Sequence, residues 1–72
     1  MKEMDLVKFG NRLRELREEK MLSARQLATA IETSNAIIII WENAKTMPSA
    51  GSIFKLAMFF GVRSDYLIGL ED

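Results

Sequence analysis

Acid–base or metal chemistry in this chain would have to come from ten aspartate and glutamate residues, because the sequence contains no histidine and no cysteine. Histidine is the usual general base near neutral pH and the commonest metal ligand, and a cysteine thiolate is a common nucleophile and soft ligand. The carboxylates are scattered along the sequence, and no glycine-rich phosphate-binding loop accompanies them. We therefore expect no enzyme activity, no catalytic or metal-binding residue, no cofactor and no small-molecule ligand.

The composition predicts one small globular domain spanning residues 1–72. Hydrophobic residues make up 49% of the chain, which is too many for a disordered protein, and a chain of this length supports one modest core. Ten lysines and arginines balance the ten acidic residues, so the basic excess typical of nucleic-acid-binding domains is missing. No apolar run is long enough to cross a membrane, and residues 1–5 lack the apolar stretch of a signal peptide, so a cytoplasmic protein is expected.

Three predicted helices frame the middle of the chain. Apolar residues recur every three or four positions between Asp5 and Lys20, and again between Ser49 and Gly61, as on one buried helix face. Asp5 and Ser49 have the chemistry of N-caps, and Gly61 is placed to end the second of these helices. A short last helix is predicted to follow and to end at Gly69.

Two short helices are predicted between these. Ser23 and Gln26 have the spacing of a capping box, which predicts a helix that starts there and runs to about Ile31. Ser34 follows at once as the next N-cap. Two short helices joined by about three residues indicate a helix-turn-helix unit at about residues 23–43.

The helix that starts at Asn35 contains four consecutive isoleucines, residues 37–40. Successive helical residues are about 100° apart, so four in a row span about 300° and cannot share one core. If Ile38 faces the core, Trp41 and Glu42 lie on the same side. Ala36, Ile40 and Asn43 then point away, with Ile37 and Ile39 on opposite shoulders. A β-strand is the alternative for this β-branched stretch, but no partner strand is predicted elsewhere, so the predicted class is all-α with five helices.

Short segments recur in a recognisable order over nearly the whole chain. They are FGNRLR (9–14), LS (22–23), LA (27–28), WEN (41–43), PS (48–49), LA (56–57), FFGV (59–62) and DYLIG (65–69). In this order they resemble the phage-repressor and Cro-like family of helix-turn-helix regulators, the Xre group. The resemblance implies a five-helix, lambda-repressor-like fold whose second and third helices form the DNA-binding unit. It also implies that Arg17 pairs with Glu42, a structural tie between the first helix and the third.

Several positions depart from the pattern that the resemblance implies. The second helix usually starts with glutamine, where this chain has Ala24, and the outward positions of the third helix are usually polar. Those outward positions are here Ala36, Ile37, Ile39 and Ile40. Three turn positions that usually hold glycine, or asparagine in one case, are Met21, Glu32 and Ala44. Because the departures cluster on one face while the core segments are kept, they suggest an engineered member of the family with a redesigned surface.

The apolar outward face favours protein over DNA as the partner. Side chains that recognise base edges are polar, apart from those that contact the thymine methyl group, and apolar residues would desolvate most base edges without pairing them. The first hypothesis is therefore an engineered scaffold that forms a homodimer through this face, with specific DNA binding largely lost. The predicted interface residues are Ala36, Ile37, Ile40, Ala44, Met47, Ala24 and Met21, and Phe54 and Met58 are candidates to extend the patch.

The main alternative is a DNA-binding transcriptional regulator of the Xre type. In that case Asn35 and Arg25 contact bases, and the phosphate contacts come from Ser34, Asn43, Lys45 and Thr46. Neutralising two or three phosphates gives only weak, salt-sensitive binding. A heteromeric protein-binding module is a third hypothesis, since an apolar patch does not reveal its partner. A further interpretation places Ile37 and Ile39 in the core and uses Met47 and Met58 to fill gaps in it.

Overall fold

The computed structural model describes residues 5–70, and this part of the chain consists of five α-helices without a β-strand. The helices are α1 (Leu6–Glu19), α2 (Ala24–Ala30), α3 (Asn35–Glu42), α4 (Ala50–Phe60) and α5 (Ser64–Leu67). The predicted all-α class is confirmed, and the isoleucine stretch is helical rather than extended. The prediction for residues 1–4, that they start no signal peptide, lies outside the described residues.

Four of these helices start with a side chain that caps their first amide groups. Asp5 Oδ1 accepts two backbone N–H groups of α1, both at 3.1 Å. Ser23 and Gln26 form the predicted capping box, with Gln26 N donating to Ser23 Oγ at 3.0 Å and Ser23 N donating to Gln26 Oε1 at 2.8 Å. Ser34 and Ser49 cap α3 and α4. These bonds satisfy amides that a helix leaves unpaired at its first turn.

Each of the five described helices is followed by a residue with a left-handed backbone. These residues are Met21 (φ 57°), Glu32 (φ 61°), Ala44 (φ 57°), Gly61 (φ 66°) and Gly69 (φ 86°). After α1, the N–H of Met21 bonds to the Glu18 carbonyl at 2.9 Å, and the next N–H reaches the Arg17 carbonyl at 3.1 Å. This is the Schellman motif, which favours glycine because a Cβ is strained in the left-handed region. The three strained residues are those where the resemblance implies glycine, and they flank α2 and α3.

The core forms where α3 packs against α1 and α2. The large side chains that are fully buried are Phe9, Leu13, Leu27, Ile38, Leu56 and Leu67. Leu56 and Leu67 come from α4 and α5, which pack against each other and complete the core. The rings of Phe9 and Trp41 meet edge to face, with centroids 6.3 Å apart, so an aromatic contact joins α1 to α3.

Gly10 allows α1 to approach the backbone of α3 closely. A Cβ at this position would lie 2.8 Å from the carbonyl oxygens of both Trp41 and Glu42. That distance is too short for a carbon and an oxygen without displacement of one helix. The C-terminal turn of α3 therefore rests directly on α1, which fixes the direction in which the other side of α3 points.

The two ends of the described chain lie side by side. The N–H of Asp5 donates to the carbonyl of Ile68 at 3.1 Å. A Cβ at Gly69 would lie 3.0 Å from the Cβ of Asp5, so a side chain there would be crowded as well as strained by the left-handed backbone.

Candidate functional site

Helix α3 is anchored by three buried side chains on one side. Ile38 is 0% exposed, Trp41 5% and Glu42 8%. These are the residues that the 100° helical spacing places on the core side. The opposite side of α3, centred on Ala36 and Asn43, is exposed, so the helix presents a free surface while its other side is held in the core.

A bidentate ion pair holds the C-terminal end of α3. Arg17 Nε donates to Glu42 Oε2 at 2.6 Å, and its Nη2 donates to Oε1 at 3.0 Å. Arg17 Nη1 donates to the carbonyl of Leu22, in the turn before α2, at 2.7 Å. The side-chain hydrogen bonds with Glu42 raise the pKa of the Arg17 guanidinium, which therefore stays charged. The structure thus contains the ion pair that the resemblance implied, and it joins α1, α3 and the start of α2.

Arg14 also contacts this ion pair, which the sequence interpretation missed. Its Nε lies 3.3 Å from Glu42 Oε1, and its Nη2 donates to Asn43 Oδ1 at 3.4 Å. The side chain of Arg14 is 44% exposed, against 17% for Arg17, so its contribution is the weaker of the two. The available signal was spacing, because residues three apart on a helix share a face.

The four isoleucines divide differently from the prediction at one shoulder of α3. Ile37, predicted to face outward beside Ile40, is partly buried and packs against the core cluster. Ile39, on the opposite shoulder, is 45% exposed, and Ile40 is partly exposed. Packing covers one shoulder of α3 and leaves the other open. The free surface, called the exposed α3 face below, therefore consists of Ala36, Ile39, Ile40 and Asn43.

The other predicted interface residues differ in exposure. Met21 and Met47 are 89% and 64% exposed, so Met47 does not fill a gap in the core. Ala24, in contrast, packs against the core cluster from the first turn of α2. Ala44 is partly buried. Whether these residues contact a partner remains a prediction.

Phe54 and Met58, the candidates to extend the patch, belong to a second surface. They are 62% and 68% exposed. Together with Val62 and Arg63 they line an open cavity of about 340 Å³ between α4 and the turn that leads into α5. Met58 is therefore not a core gap-filler.

The polar residues of the DNA hypothesis lie at the two ends of α3 and at the start of α2. Arg25, Ser34, Asn43, Lys45 and Thr46 are exposed, and Asn35 is partly buried. Two of these side chains already have intramolecular roles. Ser34 Oγ accepts the N–H of Ile37 at 3.2 Å, and the Asn43 carbonyl oxygen accepts from Arg14. The Ser34 hydroxyl hydrogen and the Asn43 amide nitrogen are still chemically able to donate to a ligand.

A family model described as helix-turn-helix matches residues 13–67, which contain α2 to α5 and half of α1. The chain belongs to the helix-turn-helix family. The HTH-type transcriptional activator BcrR of Enterococcus faecalis is 33% identical to it over 66 residues, which are 92% of this chain and 32% of BcrR. The helix-turn-helix chain thus spans about a third of the length of that relative.

Solved structures of helix-turn-helix proteins share its architecture. The P22 c2 repressor in complex with a synthetic operator is 25% identical, with a TM-score of 0.82 over 88% of this chain and 96% of that one. The restriction-modification controller protein C.AhdI of Aeromonas hydrophila is 38% identical, with a TM-score of 0.79 over the same fractions, 88% and 96%. The predicted resemblance to phage-repressor and Cro-like regulators is confirmed, as is the lambda-repressor-like fold. Among residues 5–70, no helix has the length and apolar character of a membrane span.

Proposed function

We propose that this helix-turn-helix domain binds double-stranded DNA as part of a transcriptional regulator of the Xre type, with α3 in the major groove. The observation that carries the proposal is the placement of α3: one side is locked by Ile38, Trp41 and Glu42, and the other is exposed. A rigidly held helix with a free face is what insertion into the groove requires. The P22 c2 repressor is described in complex with an operator and BcrR as a transcriptional activator, which supports the same function. A cytoplasmic location would follow from this function.

Binding should be weak and sensitive to salt. Arg25 and Lys45 are the exposed cations among the polar residues of the site, and the chain as a whole has no net charge. With two or three phosphates contacted, the logarithm of the affinity should fall with the logarithm of the salt concentration with a slope of about −2 to −3.

Fluorescence anisotropy with a labelled mixed-sequence duplex at about 50 mM salt tests the proposal, because phosphate contacts contribute most at low salt. Arg25→Ala and Lys45→Ala should each weaken binding and reduce the salt slope by about one. Lys8→Ala is the matched control, since Lys8 is an exposed cation of α1 that lies beside Gly69 and does not belong to the polar residues of the site. No binding to any duplex under these conditions would refute the function.

A second candidate is a homodimer formed through α3, in an engineered member of the family whose specific DNA binding is largely lost. The exposure of Met21, Ile39 and Met47 favours it, because apolar side chains that are exposed in the monomer gain free energy when a partner buries them. The other predicted contributors are Ala24, Ala36, Ile37, Ile40 and Ala44. A different protein could occupy the same surface, but DNA could not do so at the same time.

Light scattering coupled to gel filtration at high micromolar concentration distinguishes this candidate. Ile39→Glu should dissociate a dimer formed through the exposed α3 face, because it places a charge in an apolar interface. Val7→Glu is the control, since Val7 is an exposed apolar residue of α1, 62% accessible, outside this surface. A monomer at every concentration removes the homodimer, and a dimer that survives Ile39→Glu must use another interface.

A further inference from the structure

The apolar residues of the exposed α3 face have one chemical counterpart among the base edges of a DNA duplex. We infer that this face recognises the 5-methyl group of pyrimidines in the major groove, so that the domain prefers A·T-rich DNA and DNA that contains 5-methylcytosine. The inference rests on the proposed DNA-binding function and identifies the feature of DNA that α3 selects.

The geometry places the apolar side chains where they would meet base edges. Ala36 lies at the centre of the face, and Ile39 and Ile40 flank it at about 60° and 40° around the helix axis. Ile39 is 45% exposed and is therefore accessible to a ligand. Because Ala36 is small, the first turn of α3 can approach a surface closely and bring both isoleucines toward it. The helix has 8 residues, a length of about 12 Å, which covers roughly three base pairs.

The chemistry of the groove then decides what these side chains can contact. Guanine, adenine and cytosine present only hydrogen-bond donors and acceptors on their major-groove edges, and an isoleucine against them leaves those groups desolvated and unpaired. The C5-methyl group of thymine is the one apolar group on the natural base edges. A 5-methylcytosine carries the same methyl group at the same ring position of a G·C pair. An apolar α3 face therefore gains from a methylated pyrimidine and loses at the other base edges.

Neighbouring polar residues support the same choice of ligand. Asn35 precedes Ala36 in the first turn, and asparagine pairs best with the N6 and N7 atoms of adenine, whose partner base is thymine. The exposed cations Arg25 and Lys45 lie at the start of α2 and just after α3. They complement the phosphates of a duplex, whereas an apolar protein surface would leave them without a matching charge. The occupant that fits both the cations and the isoleucines is DNA with methyl groups in the groove.

Three duplex pools that share one set of random-core sequences test the inference with the full chain, by fluorescence anisotropy at about 50 mM salt. The first contains thymine, the second uracil in its place, and the third uracil together with 5-methylcytosine in place of cytosine. Each methyl group lost should weaken binding about fourfold, from the transfer energy of one methyl-sized group. The thymine pool should therefore bind at least that much more tightly than the uracil pool, and 5-methylcytosine should restore part of the loss.

A variant pair assigns the effect to α3. Ile39→Gln, which leaves Ile40 in place, should reduce the ratio of thymine-pool to uracil-pool affinity by about fourfold, while Met58→Gln, at a 68% exposed position of α4, should leave that ratio unchanged. Circular dichroism confirms that both variants fold. Equal affinity of the wild-type chain for the thymine and uracil pools overturns the inference and leaves DNA binding intact. A thymine preference that 5-methylcytosine does not restore also overturns it. Failure to bind any pool instead removes the proposed function itself.

Discussion

Replacing Glu32 by glycine should stabilise the fold, because Glu32 has a left-handed backbone, φ 61°, in the turn between α2 and α3. A side chain costs roughly 1–2 kcal/mol in this region. Glycine also lowers the free energy of unfolding by about 0.4–1 kcal/mol, because it increases the conformational entropy of the unfolded chain. The ion pair of Glu32 with Lys55 is 3.8 Å long, with side chains 83% and 50% exposed, so its loss costs a few tenths of a kcal/mol at most. The net gain in the free energy of unfolding is about 0.5–1 kcal/mol.

Urea denaturation followed by circular dichroism measures this gain as a higher midpoint with an unchanged slope. For a domain of this size the melting temperature should rise by about 2–8 °C. The matched control is Gly61→Ala, which makes the reverse change in the equivalent turn at the end of α4, where the backbone hydrogen bonds follow the same Schellman pattern. Gly61 has φ +66° and no atom within 4 Å of an added Cβ, so backbone strain alone opposes the alanine. Lys55→Ala measures separately how much the ion pair with Glu32 contributes to the free energy of unfolding.

The two substitutions must move stability in opposite directions if left-handed strain is the cause. A loss in Gly61→Ala without a gain in Glu32→Gly would mean that the turn between α2 and α3 tolerates a side chain at no cost, and the reasoning would fail. Glu32 lies outside both candidate binding surfaces, so the result does not depend on which partner the domain has.

Three further predictions concern the contacts that hold α2 and α3. Gly10→Ala should destabilise the fold by about 1–3 kcal/mol through overpacking against the α3 carbonyls. The control Gly51→Ala, whose Cβ would meet only a 3.9 Å contact, should stabilise the fold by up to about 1 kcal/mol. Thermal melts compare the two variants. Glu42→Met should cost about 3–5 kcal/mol by leaving the Arg17 charge unpaired, and adding Arg17→Met should recover most of that loss in urea denaturation. Equal stability of the single and double variants would argue against a charge effect. Ser23→Ala should lower the free energy of unfolding, measured by urea denaturation, by about 1 kcal/mol through loss of the capping box, and a smaller change would show that water replaces the cap.

Helix boundaries could be predicted from the sequence because they depend on neighbouring residues. The Ser23 and Ser34 hydroxyls bond to amides three residues ahead, so each signal and its partner lie within one turn. Gly61 marks the end of α4 for an equally local reason, its left-handed backbone. The strained turns were also visible, because the resemblance implied glycine where this chain has Met21 and Glu32.

The orientation of α3 could be predicted only in part. Helical spacing fixes Ile38 inside, but it places Ile37 and Ile39 symmetrically on the two shoulders. The packing of neighbouring helices covers one shoulder and exposes the other, and this packing cannot be predicted from the periodicity of α3 alone. The contact of Arg14 with Glu42 joins residues 28 positions apart, so only the helical spacing of Arg14 from Arg17 could have indicated it.

The hydrogen bond from Asp5 to Ile68 has an architectural consequence. This hydrogen bond brings the first and last turns of the described chain into contact, so the backbone begins and ends on the same side of the fold. A short peptide could join these ends, and new termini could be opened in the exposed segment at residues 45–47 without cutting a helix. A fold closed in this way can be carried as a module by a longer polypeptide, attached through a single stem, with little constraint on the rest of that polypeptide.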